Sequence, residues 1–448
     1  MQHRFLRTVL AVALCTPACS GGGAGGGATL VPNSAQPSPT SPPASKIQHV
    51  VIMVQENRSF DNFFATYPAA DGATSGKTHT GQTVQLKEVG LVATDIDHRW
   101  QTFLTEYDGG KMDGFDLIHY GGIGGGPPAG LYPYQYVDPS QIAPYWEIAK
   151  QYVLADHMFE TESSGSFIAH QDLIAGGTKI NPYQGLVDYP THSPWGCDAP
   201  HPTKTSLLTV RRRLLVDAGP FPCVNYPTLR DSLDAGKVSW KYYAPPMDQI
   251  GGLWTAFDAI RAVRYGSEWQ HNISSPETTV FTDISKGKLP AVSWVIPDFT
   301  NSDHPGHGVT GGPSWITAVV NAIGENTTLW KSTAIIVVWD DWGGFYDHVP
   351  PIQIDYQGLG FRVPMLVVSP YAKRGYVSHT QYEFGSILKF VEENWGLPAI
   401  GTTDVRATSI GDVFNFDQPP HRFHPIHASL PRAYFIHHKP SYLPVDTE

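Results

Sequence analysis

The sequence has little cysteine, little charge and no surplus of basic residues, and each shortage argues against a class of protein. Four of the 448 residues are cysteine, 16% are charged, and acidic residues outnumber basic ones by 41 to 30. The net charge of -11 argues against nucleic acid or an anionic membrane surface as the main partner. Beyond the N-terminal segment we find no apolar run long enough to span a bilayer, and no internal repeat.

The N-terminal residues have the pattern of an export signal. Arg4 and Arg7 precede a short apolar stretch, and small residues then lead to Cys19. This order resembles a bacterial lipoprotein signal, in which Cys19 would carry the lipid and tether the protein to a membrane. An ordinary cleaved signal is the alternative. We therefore predict a periplasmic, cell-envelope or secreted protein with a signal peptide at 1–19, a Gly/Pro/Ser-rich linker at 20–45 and a folded domain at 46–448.

Two cysteines remain in the body of the chain, Cys197 and Cys223, and both lie in loop-like sequence rich in Pro, Gly and Asp. An isolated pair in an exported protein is most simply a disulfide. A zinc site would need more ligands close by. We therefore predict a disulfide between them.

Two oxygen-rich clusters, each directly after a short apolar run, carry most of the information in the chain. Glu56 and Asn57 follow the first run, and Asp340 and Asp341 follow the second. Both runs are uninterrupted and rich in β-branched residues, as in strands buried on both faces of a parallel sheet. Ligands of open α/β sheets bind beyond the carboxyl ends of the strands, so the four side chains could meet at one site. Oxygen ligands without a thiolate favour a hard or borderline cation.

Strand-like and helical patterns alternate along the rest of the sequence. This alternation predicts an α/β fold with a mostly parallel central sheet and helices on both faces. Two loop-rich regions, 66–150 and 180–235, are expected to form the walls of the site. Strands are predicted at 46–54, 153–156, 238–243, 291–296 and 364–368, and helices at 167–175, 314–323 and 384–395.

Ser166 is the candidate nucleophile. It lies near the start of a predicted helix, where backbone N–H groups and the helix dipole favour an anionic group such as phosphate. It does not stand in the Gly-x-Ser-x-Gly turn of the α/β-hydrolases. By spacing alone, a serine that only caps the helix is the more ordinary interpretation.

Several strings resemble, in order, the motifs of the bacterial phosphoesterase family, which holds phosphatidylcholine-type phospholipases C and related acid phosphatases. The most specific are Glu-Asn-Arg-Ser-Phe-Asp and Gly-Gly-Phe-Tyr-Asp-His. The resemblance runs from about residue 46 to about residue 415, through nearly all of the predicted domain. The matching segments are 56–61, 97–100, 109–115, 165–167, 302–305, 340–350 and 363–370.

The resemblance implies an alkaline-phosphatase-like α/β fold and a divalent metal ion, with Ca, Mg, Mn, Fe and Zn all left open. It implies that Ser166 is the nucleophile, and that His98 and His304 contact the phosphate or protonate the leaving group. The implied metal ligands are Glu56, Asn57, Asp340 and Asp341.

This chain departs from the family pattern in two ways. The family usually has Asp-Glu where this sequence has Asp340-Asp341, so the second carboxylate reaches less far by one methylene. The larger phospholipases also carry C-terminal β-domains, for which this chain is too short. We therefore expect the smaller phosphatase branch, while the choice between a lipid and a small-molecule phosphoester stays open.

The leading hypothesis is an exported, metal-dependent phosphoric-ester hydrolase that acts through a phosphoserine. Its partner would be a phosphoester substrate and not nucleic acid, and the oligomeric state is left open. One alternative is a metal-independent Ser-His-Asp esterase or lipase, which should be indifferent to chelators. The other is a non-catalytic carbohydrate-binding or adhesion protein, suggested by 12 tryptophans and 21 tyrosines.

Overall fold

The computed structural model describes residues 45–121, 125–248, 250–306, 308 and 310–439. The predicted signal peptide with Cys19 and nearly all of the predicted linker lie outside the described residues. The folded domain is therefore described from close to its predicted start at residue 46.

Short strands and helices alternate along the described part of the chain, in line with the predicted α/β class. The helices are α1 Phe60–Phe64, α2 Trp100–Tyr107, α3 Ala143–Gln151, α4 Ser166–Ala175, α5 Leu229–Ala235, α6 Arg261–Arg264, α7 Glu268–Asn272, α8 Thr279–Ser285, α9 Gly312–Glu325, α10 Thr327–Trp330, α11 Phe384–Trp395 and α12 Arg432–His437. The strands are β1 His49–Gln55, β2 Ser75–Lys77, β3 Thr83–Gln85, β4 Lys87–Val89, β5 Gln135–Val137, β6 Val153–Ala155, β7 Met158–Phe159, β8 Lys179–Asn181, β9 Gln184–Val187, β10 Ser206–Thr209, β11 Leu214–Leu215, β12 Trp240–Tyr243, β13 Ile273–Ser274, β14 Val292–Val295, β15 Thr333–Trp339, β16 Met365–Val368, β17 Tyr376–Ser378 and β18 Tyr382–Glu383.

The central sheet has the strand order β13-β12-β14-β1-β15-β16-β6-β17. Its strands pair in parallel except at β16, which runs antiparallel to both of its neighbours. The predicted mostly parallel sheet is confirmed. The antiparallel pairing begins where β15 ends, since the N–H of Trp339 bonds to the carbonyl of Pro364, directly before β16. The segment 340–364 thus returns to the same edge of the sheet, and β16 runs back along β15.

The middle of this sheet is fully buried. Successive side chains of a strand point to opposite faces, and all those from Val50 to Val54 are inaccessible to solvent. Every residue of β15 is also buried. Both faces of the sheet are therefore covered, and each fully buried Val or Ile contributes about 1.5–3 kcal/mol.

Helix α4, which begins at Ser166, is fixed against the sheet. All of its residues are buried, and it packs against α11. The indole N–H of Trp294 in β14 donates to the carbonyl of Leu173 in α4 at 3.1 Å. These contacts hold the start of α4 in a constant position relative to β1 and β15.

Most of the predicted elements are present. Helix α11 has its predicted bounds, α9 is longer than predicted by a few residues at both ends, and β1 begins at His49 instead of residue 46. The loop-rich region 180–235 is the main difference, because it holds most of a four-stranded antiparallel sheet in the order β11-β10-β9-β8. These strands are two to four residues long, too short for an alternating pattern to be recognised.

The predicted disulfide between Cys197 and Cys223 is present. Both cysteines are buried, and the bond joins the connection between β9 and β10 to the segment that follows β11. Such a bond is typical of proteins in an oxidising, extracytoplasmic compartment. Apart from the gaps named above, no helix between residues 45 and 439 is both long enough and apolar enough to cross a bilayer.

Candidate active site

The four predicted metal ligands come together at the carboxyl edge of the central sheet. Strands β1 and β15 are parallel neighbours with Gln55 opposite Trp339, so the dipeptides that follow them meet. The N–H of Asn57 donates to Asp340 Oδ1 at 2.9 Å. The side chains of Glu56, Asn57, Asp340 and Asp341 are all fully buried.

Three oxygen atoms of this group have no hydrogen-bond partner among the described residues: Glu56 Oε2, Asn57 Oδ1 and Asp340 Oδ2. A buried polar atom without a partner is costly, and a buried carboxylate more so. Burial and the neighbouring charge of Asp340 raise the pKa of Glu56 well above its usual range. The same two causes raise the pKa of Asp341 to about 8. Oxygen atoms so arranged fit a bound cation, which would satisfy them and offset their repulsion.

The turn after β15 requires glycine for this arrangement. Gly343 has a φ of +61°, and a Cβ atom there would collide with the carbonyl oxygen of Asn57. Its N–H donates to Asp341 Oδ1 at 2.8 Å. Asn57 itself has a φ of 58°, which asparagine adopts more readily than most residues. The Gly-Gly motif thus lets the two strand ends approach each other.

Ser166 is the first residue of α4, and Gly165 occupies the N-cap position. The capping interpretation of Ser166 therefore does not fit the geometry. Its hydroxyl instead donates to Asp341 Oδ2 at 3.0 Å. The first N–H groups of a helix have no partner within the helix, so α4 starts with donors beside the serine hydroxyl.

His98 lies in the same cluster. Its Nδ1 is 2.7 Å from the carbonyl oxygen of Ile96, which can only accept, so the ring proton is on Nδ1. Nε2 then accepts a hydrogen bond from Asn57 Nδ2 at 2.9 Å. It is also 3.9 Å from Asp341 Oδ2. The ring is fully buried, and its Nε2 edge faces Asn57 and Asp341.

His304 is placed differently. Its ring stacks on Trp254 and packs against Phe299, and its Nδ1–H donates to the carbonyl of Pro305 at 2.6 Å. No hydrogen bond among the described residues joins His304 to the four oxygen ligands. Burial lowers its pKa to about 3, and the charges of His98 and Asp340 also act on it. His304 is therefore neutral and close to the cluster.

His170 is a residue of this site that the sequence argument missed. It is one turn after Ser166 in α4, and its Nε2 lies 3.0 Å from Glu56 Oε1 and 3.6 Å from Asp340 Oδ2. It is nearly fully buried, which lowers its pKa to about 4. The signal was in the sequence, because residues four apart share one face of a helix.

Glu160 is a second missed residue. It follows β7, and its carboxylate accepts the N–H of Trp342 at 3.0 Å. Its other oxygen is buried and without a hydrogen-bond partner among the described residues. Burial, then the charges of Asp341 and Asp340, raise its pKa well above the usual range. A further acidic group therefore lies behind the two aspartates.

The acidic residues that follow the second cluster serve a buried ion pair. Arg362 is fully buried and bonds to Asp347 through Nε at 2.8 Å and Nη2 at 3.0 Å. It also reaches Asp61 at 3.4 Å, and His348 Nδ1 is 2.7 Å from the other oxygen of Asp61. Asp347 is therefore held in an ion pair with Arg362.

The comparison with protein families decides the classification. The sequence profile described as the Phosphoesterase family matches residues 47–398. The chain belongs to the phosphoesterase family. The predicted resemblance is confirmed, and the protein is an enzyme that hydrolyses phosphoric esters. The non-catalytic adhesion alternative is therefore wrong.

The chain is similar to bacterial phospholipases C. Phospholipase C B of Mycobacterium tuberculosis is 27% identical over 440 residues, which cover 84% of this chain and 78% of that protein. Hemolytic phospholipase C of Pseudomonas aeruginosa is 23% identical over 432 residues, covering 82% of this chain and 55% of the relative. A solved structure from Vibrio parahaemolyticus, described as a protein in the alkaline phosphatase superfamily, has a TM-score of 0.36 and 12% identity. It covers 85% of this chain and 78% of its own.

Proposed function

We propose that this protein is an exported, metal-dependent phosphoric-ester hydrolase in which Ser166 is the nucleophile. The observation that carries the proposal is the hydrogen bond from the Ser166 hydroxyl to Asp341, beside three buried oxygen atoms without a partner. Membership of the phosphoesterase family supplies the reaction class. The disulfide supports export.

The side chains of Glu56, Asn57, Asp340 and Asp341 would hold the metal ion. When bound, a divalent cation there would offset the charge of the substrate phosphate and favour the deprotonated serine hydroxyl. The unpartnered oxygens of Glu56, Asn57 and Asp340 support this ligand set. So do the raised pKa values of Glu56 and Asp341, which are caused mainly by burial and by close acidic neighbours.

Ser166 would attack phosphorus in line with the leaving oxygen. Its proton passes to Asp341 Oδ2, which already accepts its hydrogen bond. The bond from Ser166 Oγ to phosphorus forms as the bond to the leaving oxygen breaks, and the first N–H groups of α4 stabilise the phosphate oxygens. Water then attacks the phosphoserine and gives a proton to the histidine that protonated the leaving oxygen. The bond from phosphorus to Ser166 Oγ breaks, Oγ regains its proton from Asp341, and the phosphate product is released.

His98 and His304 are the candidates for phosphate contact and proton transfer to the leaving group. In each ring Nδ1–H is bound to a backbone carbonyl, which leaves Nε2 as the atom that can exchange a proton. His98 is the better placed, because its Nε2 already contacts Asn57 and lies near Asp341. Protonated at Nε2, either ring could donate to the departing oxygen, and the pKa of about 3 at His304 makes His98 the stronger candidate for this role.

Phospholipid head groups and small phosphomonoesters are the two substrate classes to test. The names of the relatives favour phospholipids. Hydrolysis of p-nitrophenyl phosphate and p-nitrophenylphosphorylcholine by the purified protein separates monoesters from choline diesters, with p-nitrophenyl sulfate as the control for the reacting group. Each assay is run as purified, after chelation and after metal is restored. A protein that contains no metal by elemental analysis and stays fully active in chelator would contradict the proposal.

A further inference from the structure

We propose that His170 is a ligand of the metal ion, so that the helix carrying the nucleophile also holds the metal. This inference rests on the proposed function, because it assumes that the site binds a divalent cation. It adds a nitrogen ligand to a set that the sequence predicts to be all oxygen. It also links the position of Ser166 to occupancy of the metal site.

The distances suit one ion. His170 Nε2 lies 3.0 Å from Glu56 Oε1 and 3.6 Å from Asp340 Oδ2. One ligand atom from each of these three residues can be chosen so that all lie within 4.8 Å of one another. Ligand atoms at about 2.1 Å from one ion are separated by roughly 3–4 Å, so little rearrangement is needed.

The ring of His170 also lies beside carboxylate oxygens that a cation would stabilise. Glu56 Oε2 and Asp340 Oδ2 are both buried without a hydrogen-bond partner among the described residues. A proton on His170 Nε2 satisfies only Glu56 Oε1 at hydrogen-bond distance. An ion shared by the imidazole and the two carboxylates would satisfy the remaining oxygens as well.

Helix geometry connects this ligand to catalysis. Residues 166 and 170 lie on the same face of α4, one turn apart. Ser166 bonds to Asp341, whereas His170 contacts Glu56 and Asp340. The same face of one helix thus contacts the site at two places. A metal ion bound by His170 would fix the position of α4 along its axis and its rotation about that axis. The position of the Ser166 hydroxyl would then be fixed as well.

A nitrogen ligand reduces the number of metal ions that would suit the site. Carboxylates and carbonyl oxygens suit Mg²⁺, Ca²⁺ and Mn²⁺, whereas imidazole suits Zn, Fe and similar ions. A site of Glu56, Asp340 and His170 therefore favours zinc or iron over calcium and magnesium. The oxygen ligands alone would have left all of these ions open.

A purely structural role is the competing explanation, in which His170 only donates a hydrogen bond that orients Glu56. Glutamine distinguishes the two roles, because its amide can donate to Glu56 but is a poor metal ligand. The matched control is His304→Gln, a second buried histidine beside Trp254 with no hydrogen bond to Glu56 or Asp340 among the described residues.

Wild type, His170→Gln and His304→Gln are compared by metal content as purified, by Zn²⁺ affinity after chelation, and by X-ray absorption of the bound metal. Circular dichroism checks folding. We expect His170→Gln to weaken Zn²⁺ binding by more than about 100-fold, which exceeds the loss of about 10–100-fold typical of residues that only orient a ligand. We also expect it to lose the imidazole scattering signal, which His304→Gln retains.

Unchanged Zn²⁺ affinity and unchanged imidazole scattering in His170→Gln would overturn the inference and leave the proposed function standing. A wild-type protein that binds no Zn²⁺ or iron would overturn the inference, and full activity in chelator would overturn the metal-dependent function as well. If His170→Gln does not fold, wild type still gives an answer. Wild-type metal without imidazole scattering contradicts the inference. A signal retained in His304→Gln, His98→Gln and His348→Gln assigns it to His170, because His348 lies in a second group that could hold a metal ion.

Discussion

The Ser166 hydroxyl donates to Asp341 Oδ2 at 3.0 Å, which joins the first turn of α4 to the end of β15. The other oxygen of Asp341 accepts the N–H of Gly343 at 2.8 Å. The carboxylate is therefore held by its own turn while it receives the serine. In the proposed mechanism Asp341 accepts the serine proton, and this carboxylate already lies within hydrogen-bond reach of it, as a general base must.

Replacement of Ser166 by alanine should abolish turnover. A nucleophile and its activating groups act as a unit, so we expect a loss of at least about 10³-fold in kcat at saturating substrate. The matched control is Ser232→Ala, in α5, whose buried hydroxyl donates only to the carbonyl of Pro398. It should cost about 1 kcal/mol of stability and retain activity. Acid-quenched labelled substrate should mark Ser166 in wild type, and label on another residue would contradict the assignment.

Asp340→Asn should remove the metal while the protein stays folded. The amide oxygen can still accept the N–H of Asn57, which Asp340 Oδ1 now accepts at 2.9 Å, but the negative charge is lost. We expect bound metal to fall at least about 10-fold, and activity with it. Asp283→Asn is the control, because that carboxylate pairs with Lys241 away from the site. Full metal content in Asp340→Asn, measured by elemental analysis beside circular dichroism, would show that the ligand set is wrong.

That Glu56 and Asp340 lie close together could be predicted from the sequence, because the prediction depends only on the local pattern of each strand and of the residues that follow it. Two buried, parallel strands that end in ligand residues place those residues at one edge of the sheet. Their direct pairing, with Gln55 opposite Trp339, could not be derived from either strand alone. The family motifs indicated which residues form the site, and the strand register in the structure shows that the residues after β1 and β15 are in contact.

His170 and the reversed strand β16 show where the sequence argument fails. The spacing between Ser166 and His170 was visible, but which face of α4 turns to the site depends on its packing against β14 and α11. The direction of β16 depends on where the 340–364 segment runs, which is a tertiary property. The short strands β8–β11 are formed by pairing between segments, and no local pattern specifies them.

Gly343→Ala should weaken metal binding through the backbone. A Cβ at this position would collide with the carbonyl of Asn57, and the φ of +61° is itself unfavourable for alanine. Gly287→Ala separates the two effects, since Gly287 has a φ of +62° and open space around it. We expect both variants to lose about 1 kcal/mol from the φ angle, and only Gly343→Ala to lose metal. Equal metal affinity in the two variants would refute the proposed role of the close approach.

Arg362→Gln should destabilise the protein strongly. Arg362 is fully buried between Asp347 and Asp61, and its removal leaves Asp347 without the arginine and Asp61 with His348 as its remaining ion-pair partner among the described residues. Breaking a buried pair by removing one partner costs about 3–5 kcal/mol. The control is Lys150→Gln, which breaks an exposed pair with Glu147 and should cost less than about 1 kcal/mol. Urea unfolding at neutral pH measures both, and similar midpoints for the two variants would contradict the prediction.

His348 should make stability depend on pH between neutral and mildly alkaline conditions. Burial opposes its protonation, but the hydrogen bond and charge of Asp61 raise its pKa to about 8. Its pKa in the unfolded chain is about 6.5. Because the folded value is the higher one, the contribution is complete below about pH 6.5 and is lost as the pH rises through about 8. The difference corresponds to about 2 kcal/mol.

The measurement is urea unfolding from pH 6 to pH 9 in wild type and His348→Gln, with His192→Gln as the control at an exposed histidine. Wild type and the control should both lose about 2 kcal/mol more than His348→Gln over this range. Between about pH 6.5 and pH 8 the folded protein keeps the proton on His348, whereas the unfolded chain has already lost it. This difference in bound protons is the cause of the loss of stability as the pH rises. An equal pH dependence in all three proteins would show that the Asp61–His348 contact does not hold the proton.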